Sequence, residues 1–284
     1  MFKFYLPFYY LFFSRLKTKI DLASWIIIFI IPQFILTYIY TELSLGLFLF
    51  LFLLSQVIFN TLYEIGYIEN DISTTENEEV PTLRLDSKTN DYIKSHYSKI
   101  IYFRYSTVFL LFGFLYLINH YLHLNLHIAS FLVLLIVNRM FFYWHNSVRN
   151  RWNLFTFTIL AITKYIFPIV LFVSVDKLFY LSLLFIIIFP LLRIIEHSTH
   201  KRYAFVKYAN LIGNHDKFRI IYYMFFSILD LLLFYISIIS KEQFLVVFFA
   251  LAYFLLYRVS AYLLVQKGLY KRDNLKNKDL YIKN

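Results

Sequence analysis

The sequence predicts an all-α polytopic membrane protein with eight to nine transmembrane helices. Three observations predict it. Of 284 residues, 60% are hydrophobic and only 16% are charged, where a soluble domain carries about 25% charged residues. Apolar runs long enough to cross a bilayer recur along the whole length, and the mean hydropathy is +0.62. Lys and Arg crowd into alternate connections, as they do on the cytoplasmic side of membrane proteins.

Residues 4–14 form a short aromatic segment, expected to lie in the membrane interface or to make a partial ninth helix. Eight long spans follow, at 22–41, 44–66, 100–120, 126–144, 154–174, 178–196, 218–240 and 243–265. Pro32, Pro168 and Pro190 fall inside spans. Kinks are tolerated there because neighbouring groups take up the freed backbone.

The connections at 42–43, 121–125, 175–177 and 241–242 are short and hold only Lys177 and Lys241 as basic residues. The long connections, at 67–99, 145–153 and 197–217, hold many more. So do the segment around Arg15, Lys17 and Lys19 and the tail after 265. Both termini and all long loops are therefore expected on the cytoplasmic side of an inner membrane. The chain reads as a single integral membrane domain over 1–284, with an interfacial N-terminal segment and a basic C-terminal tail. Its net charge of +11 suits an anionic leaflet and calls for no nucleic-acid partner. The lack of Cys excludes disulfides and thiolate chemistry. The 34 Phe and 26 Tyr match an AT-rich coding bias.

The first polar constellation lies at the end of the second span. Asn60, Glu64, Tyr67 and Asp71 are spaced i, i+4, i+7, i+11 and share one helix face. A carboxylate at that depth is costly and marks a functional position. Asn70 and Asp71 then open a loop carrying Glu76, Glu78 and Glu79. Clustered oxygens suit Mg²⁺, which binds carboxylates, water and phosphate oxygens together. A solvated acidic loop is the plain reading of the loop glutamates, but it does not explain the helical stripe.

The second constellation is "RIIEHSTHKRYAFVK", residues 193–207. Glu196, His200, Tyr203 and Lys207 repeat the same spacing on a segment that continues the sixth span, with Arg193, His197 and Lys201 close to that face. A carboxylate among cations suits a phosphorylated substrate. A basic loop at the membrane surface explains Lys201 and Arg202, but not Glu196. Arg104, Arg139, Lys164 and Arg258 fall within or at the ends of spans. Lys164 is the deepest and the best placed to contact an anion. Asp230, midway along the seventh span, is expected to pair with one of these cations.

Five scattered glycines leave no room for a glycine-built phosphate cradle, and no Walker A, dinucleotide-binding, nucleophile-elbow or metalloprotease motif is present. Anionic substrate would have to be held by metal and side-chain cations.

The two polar segments resemble those of the UbiA-type intramembrane prenyltransferase superfamily, whose first motif has the form N-D-x-x-D-x-x-x-D. Here Asn70 and Asp71 open it, Thr74 takes the middle acid position and Glu78 the last, and Pro81, Thr82 and Arg84 trail it as in the family. Lys201, Arg202, Tyr203 and Ala204 are similar to the "KRYAE" segment of the decaprenyl-phosphate phosphoribosyltransferase branch, with Phe205 in place of the acid. "HNSVRNRWNLFTFTILAITKYIF" is similar to the stretch between the family's fourth and fifth helices, with Arg149 and Lys164 at its basic positions.

The resemblance implies a ring of helices around a cavity open to the cytoplasm. It also implies Mg²⁺ on Asn70, Asp71 and Glu78; the stripe adds Glu64 as a ligand, and Asp71, Glu64 and Glu196 are expected in catalytic roles. Arg84, Arg149, Lys164, Arg193, His200, Lys201, Arg202 and Tyr203 would hold substrate. The partners would be a polyprenyl lipid and a phosphorylated donor, and the reaction the transfer of phosphoribose from phosphoribosyl pyrophosphate to polyprenyl phosphate. A prenyltransferase of the same fold, moving a polyprenyl group to an aromatic acceptor, is the alternative. A transporter or flippase with a titratable core is the second.

Overall fold

The computed structural model describes residues 2–74, 84–148, 150–200 and 203–268. The structure is helical, and the chain divides into two compact units. The first comprises Met1–Arg149 and Thr163–Phe179; the second comprises Asn150–Ile162 and Tyr180–Asn284. Among the described residues, seven helices are long and apolar enough to cross a membrane, or eight if one bent pair counts as a single span. The protein is thus built as a multi-pass membrane protein.

In the first unit a 3₁₀ turn, Phe2–Tyr5, and a short helix α1, Tyr9–Ser14, precede the spans. Helix α2, Lys19–Tyr38, begins with a capping box. Thr18 Oγ1 accepts from the Asp21 amide at 3.1 Å, and the Thr18 amide donates to Asp21 Oδ2 at 3.2 Å. The helix widens into a π turn at Ile26–Ile30 just before Pro32, where the ring would otherwise crowd the preceding turn. Helix α3, Leu45–Glu69, is mostly buried and apolar apart from its polar stripe, and it ends in a π turn at Asn70–Thr74. Helix α4, Ser87–Ser95, is capped by Asp86, whose carboxylate accepts from the Thr89 amide at 2.8 Å. Two spans follow, α5 over Tyr97–Leu122 and α6 over Ile128–Ser147.

Helix α7, Trp152–Phe172, passes from the second unit into the first. In the first unit Phe167 stacks on Phe59 of α3 with ring centroids 4.2 Å apart. Pro168 has no N–H to give the carbonyl of Lys164, four residues earlier. The side chain of Gln33 on α2 takes that place, donating to the carbonyls of Lys164 at 3.1 Å and Tyr165 at 3.0 Å. Gln33 in turn accepts from Gln56, and Gln56 accepts from Asn60. Gly66 is where α3 and α6 come closest. A Cβ there would lie 2.3 Å from the ring of Phe142, so only hydrogen fits.

The expected single span over 178–196 is two helices, α8 over Val175–Ile188, which enters the second unit at Tyr180, and α9 over Pro190–Ser198, bent by 43°. Pro190 opens α9 and cannot donate back into α8. Tyr222 and Tyr223 meet the carbonyls at the end of α8. Their hydroxyls donate to Ile187 O at 2.6 Å and Ile188 O at 2.8 Å. Helix α9 stops at Ser198, earlier than the sequence suggests, where Ser198 and Thr199 hydroxyls donate to the carbonyls of Ile195 and Glu196. A short helix α10, Val206–Ile212, leads to the hairpin of α11, His215–Tyr235, and α12, Lys241–Gln266. Asn214 and Ser240 cap α11 and α12.

Candidate functional site

The helical stripe on α3 exists, and both its carboxylates are engaged by cations from distant parts of the chain. Glu64 is fully buried and pairs with Arg104 of α5 at 2.6 Å. It also caps α1, accepting from the backbone amides of Phe8 and Leu11, where the helix amide ends favour a negative charge. Arg104, itself fully buried, donates to the carbonyls of Phe4 at 2.9 Å and Leu6 at 3.2 Å. Between them, Glu64 and Arg104 fasten the N-terminal segment to α3 and α5.

Asp71 lies at the end of the stripe. Arg15 grips it with both terminal nitrogens, at 2.8 and 3.0 Å. Arg84 reaches Oδ1 at 3.2 Å, the Tyr10 hydroxyl donates to Oδ2 at 2.7 Å, and the Asn70 amide reaches Oδ1 at 3.3 Å. Burial and then the Asp71 carboxylate push the Tyr10 hydroxyl far above its ordinary range, so it stays a donor. Burial works against the charge of Arg15, but Asp71 outweighs it and holds the guanidinium above its usual range. Arg15 also lies over the ring of Tyr67 at 4.5 Å.

Lys164 stands apart from these pairs. Its ammonium sits over the rings of Phe29 at 4.9 Å and Tyr63 at 5.1 Å. Tyr63 packs edge-to-face on Tyr67, at 5.1 Å. A column of tyrosines thus runs from Lys164 to Arg15. A third carboxylate, Glu69, is bound by Arg139 and by the Tyr97 hydroxyl.

In the second unit Glu196 is buried and gripped by Arg219 of α11 through Nε and NH2, with Arg193 at 3.6 Å. Arg219 also donates to Asp216 at 3.1 Å. Tyr203 is wholly buried. Its hydroxyl donates to Asn153 Oδ1 at 2.9 Å and meets His197 Nε2 at 2.9 Å. His197 stacks on Phe157 at 3.8 Å, and His200 bonds the carbonyl of His197. Because α9 ends at Ser198, the expected single helical face of Glu196, His200, Tyr203 and Lys207 does not form. Tyr203 turns back to α7 instead.

Of the expected site residues, Asn70, Asp71 and Arg84 come together, and Glu64 forms a separate pair one turn and more away. Glu196 meets Arg193, while His200 and Tyr203 gather around His197. Glu78, Arg149, Lys201 and Arg202 lie outside the described residues. The sequence reading missed Arg15 and Arg219, the strongest cation partners of Asp71 and Glu196. Asp230 is buried in α11, and among the described residues it pairs with no cation and its Oδ2 has no hydrogen-bond partner.

A magnesium ion held by protein needs several oxygens free to face one point. Here Glu64 and Asp71 accept from arginines, a tyrosine and backbone amides, and no three His, Asp or Glu gather among the described residues. Glu64 and Asp71 are thus taken up by other donors in this arrangement, while Glu78, a further expected ligand, lies outside the described residues. The guanidinium groups of Arg15 and Arg84 are of a kind that holds anions. Comparison of the chain with protein-family models, with curated proteins and with solved structures finds no match in any of the three.

Proposed function

We propose that this protein is a membrane transferase acting on a phosphate-bearing polyprenyl lipid, and that it moves phosphoribose from phosphoribosyl pyrophosphate onto the lipid phosphate. The observation that supports this reading is the convergence of Arg15 and Arg84 on one small anion, Asp71, with the deeper cation Lys164 along the same tyrosine column. Guanidinium forks match phosphate oxygens as they match a carboxylate. A lysine in an apolar span, with aromatic faces and no carboxylate paired to it among the described residues, calls for an anion. The Phe- and Leu-rich spans would bury the prenyl chain without polar contacts.

In the proposed reaction a lipid phosphate oxygen attacks the anomeric carbon of the donor as pyrophosphate leaves with the electrons of its C–O bond. Arg15 and Arg84 hold phosphate charge in place, and positioning with charge neutralisation supplies the acceleration. Both termini and the loops 67–99 and 197–217 face the cytoplasm in this proposal, which Cys labelling at Ser87→Cys in intact cells would overturn if the external reagent reacted.

The direct test uses purified protein in detergent, with labelled phosphoribosyl pyrophosphate and polyprenyl phosphate. Transfer of label, lost in Arg15→Ala and Arg84→Ala, is expected. Consumption of a prenyl pyrophosphate with no use of this donor would give the aromatic prenyltransferase reading instead. The transport reading draws on Asp230, a buried carboxylate in α11 whose Oδ2 has no hydrogen-bond partner among the described residues. A proteoliposome in which Asp230→Asn abolishes lipid movement, with no turnover of either donor, would favour it.

A further inference from the structure

We infer that Asp71 is the resting occupant of the phosphate grip, and that a phosphate monoester competes with it for Arg15 and Arg84 and thereby loosens the outer end of the N-terminal segment. This rests on the proposed role of those arginines in holding phosphate. The Asp71 side chain is 1% exposed, while Arg15 is 17% and Arg84 32% exposed. A ligand arriving from outside therefore meets the guanidinium groups before it meets the carboxylate. The contact it finds is already shaped for it. Arg15 presents two parallel N–H bonds to a planar pair of oxygens, and Arg84 adds a third donor. A phosphate dianion offers the same oxygens with more charge, so it takes over the donors that Asp71 holds.

The consequence follows from where Arg15 sits. It directly follows α1, and the segment from Phe2 to Arg15 is fastened at two places. The inner fastening is the buried Glu64–Arg104 pair with its bonds to Phe4, Leu6, Phe8 and Leu11. The outer one is Asp71 with Tyr10 and Arg15. The outer fastening shares its arginine with the phosphate grip; the inner one does not. Ligand binding therefore loosens the outer end, which keeps the Tyr10–Asp71 bond, and leaves the inner end docked. The Tyr67 ring under Arg15 keeps the guanidinium at the site as it changes partners.

The shared ligand chemistry is a phosphate monoester, which a lipid headgroup, a sugar phosphate or free phosphate could supply. Farnesyl phosphate, ribose 5-phosphate and inorganic phosphate would be titrated in parallel against the full-length protein, with farnesol as the uncharged control. Asp71→Asn removes the competing charge, so it should tighten phosphate binding by about tenfold, whereas Arg15→Gln and Arg84→Gln should weaken it by a similar factor. Ser14→Cys, buried beside Arg15, should react slowly with maleimide and several times faster once the phosphate ligand is present. Tyr10→Phe, which removes one hydrogen bond to Asp71, should tighten binding in the same direction by less, and serves if Asp71→Asn does not fold. Tighter binding in these variants with faster labelling supports the inference. Weaker binding in Asp71→Asn and Tyr10→Phe, with the arginine variants still defective, would overturn it and leave the phosphate grip standing. Failure of the wild-type protein to bind any of the three phosphates would instead remove the proposed function itself.

Discussion

Each unit of the molecule sets a buried carboxylate at the end of a membrane helix and answers it with arginines, yet the two are built differently. In the first unit α3 runs unbroken to Glu69 and through the π turn to Thr74, so Glu64 and Asp71 sit on one face. Each carboxylate there binds a different arginine and a different part of the N-terminal segment. In the second unit α9 is only nine residues long and ends two residues past Glu196. One carboxylate there is shared by Arg219 and Arg193, and the residues beyond the helix fold back on Asn153 and His197. The same sequence spacing thus yields a docking face in one unit and a turned-back knot in the other. Helix continuity decides which, and the spacing alone does not.

The difference has energetic consequences that separate the two sites. Arg104 has no exposed surface, and its partner Glu64 has almost none. Arg104→Ala would leave a buried carboxylate facing apolar spans and two carbonyls without their donor. A loss of about 3–5 kcal/mol is expected, the cost of breaking rather than replacing a buried pair. Thermal melting in detergent would read it. A double variant, Glu64→Gln with Arg104→Met, should recover part of the loss. If Arg104→Ala alone melted like the wild type, the inner fastening of the N-terminal segment would not exist.

Arg219→Ala should cost less, about 2 kcal/mol. Glu196 would keep Arg193 beside it at 3.6 Å, on the more exposed side of the site. The comparison sharpens if Arg193→Ala is nearly silent alone but adds strongly to Arg219→Ala, because the second loss then leaves Glu196 only the more distant charge of Arg258. Additive small effects would mean that Glu196 is solvated in the membrane-bound protein.

How much of this was legible in the sequence follows the same division. The apolar runs and the α3 stripe were local, and they hold. Arg104 and Arg139 could be singled out because a cation in an apolar span is expensive. Which carboxylate each would find was not legible, since Arg104 lies 40 residues from Glu64. Arg15 lies 56 residues from Asp71 and reads from sequence as one of several basic residues flanking a span. The demand of Asp71 for a cation was the signal available, without a way to choose among the candidates. The early end of α9 was hidden for a different reason. Ser198 and Thr199 stop the helix by bonding its own carbonyls, and both residues are also compatible with a helix that continues.

The prolines offer a finer test of the same contrast. In the first unit Gln33 supplies the donor that Pro168 lacks. It gives hydrogen bonds to two carbonyls and accepts one from Gln56. Gln33→Leu would leave all three groups buried without that partner, and a loss of roughly 2 kcal/mol is expected. Lys164 should be disturbed with it, because its own carbonyl is one of those that Gln33 holds.

The smallest effect belongs to Tyr223→Phe in the second unit. Its hydroxyl donates to the carbonyl of Ile188, the last residue of α8, at 2.8 Å. Ile188 has no N–H partner within its own helix, because the helix ends there. The ring itself is buried and stacks on Phe254 at 5.4 Å, so phenylalanine keeps the packing and removes only the oxygen. Neighbouring Tyr222 still holds Ile187, which limits how far the bend can open. The expected cost is therefore about 1 kcal/mol or less, in line with single side-chain hydrogen bonds inside membranes. The double variant Tyr222→Phe with Tyr223→Phe releases both carbonyls at the Pro190 break, and it should cost more than the two single changes added together. Melting curves of the three variants decide it. Strict additivity would mean that the 43° bend is fixed by Pro190 alone and that the tyrosines merely decorate it.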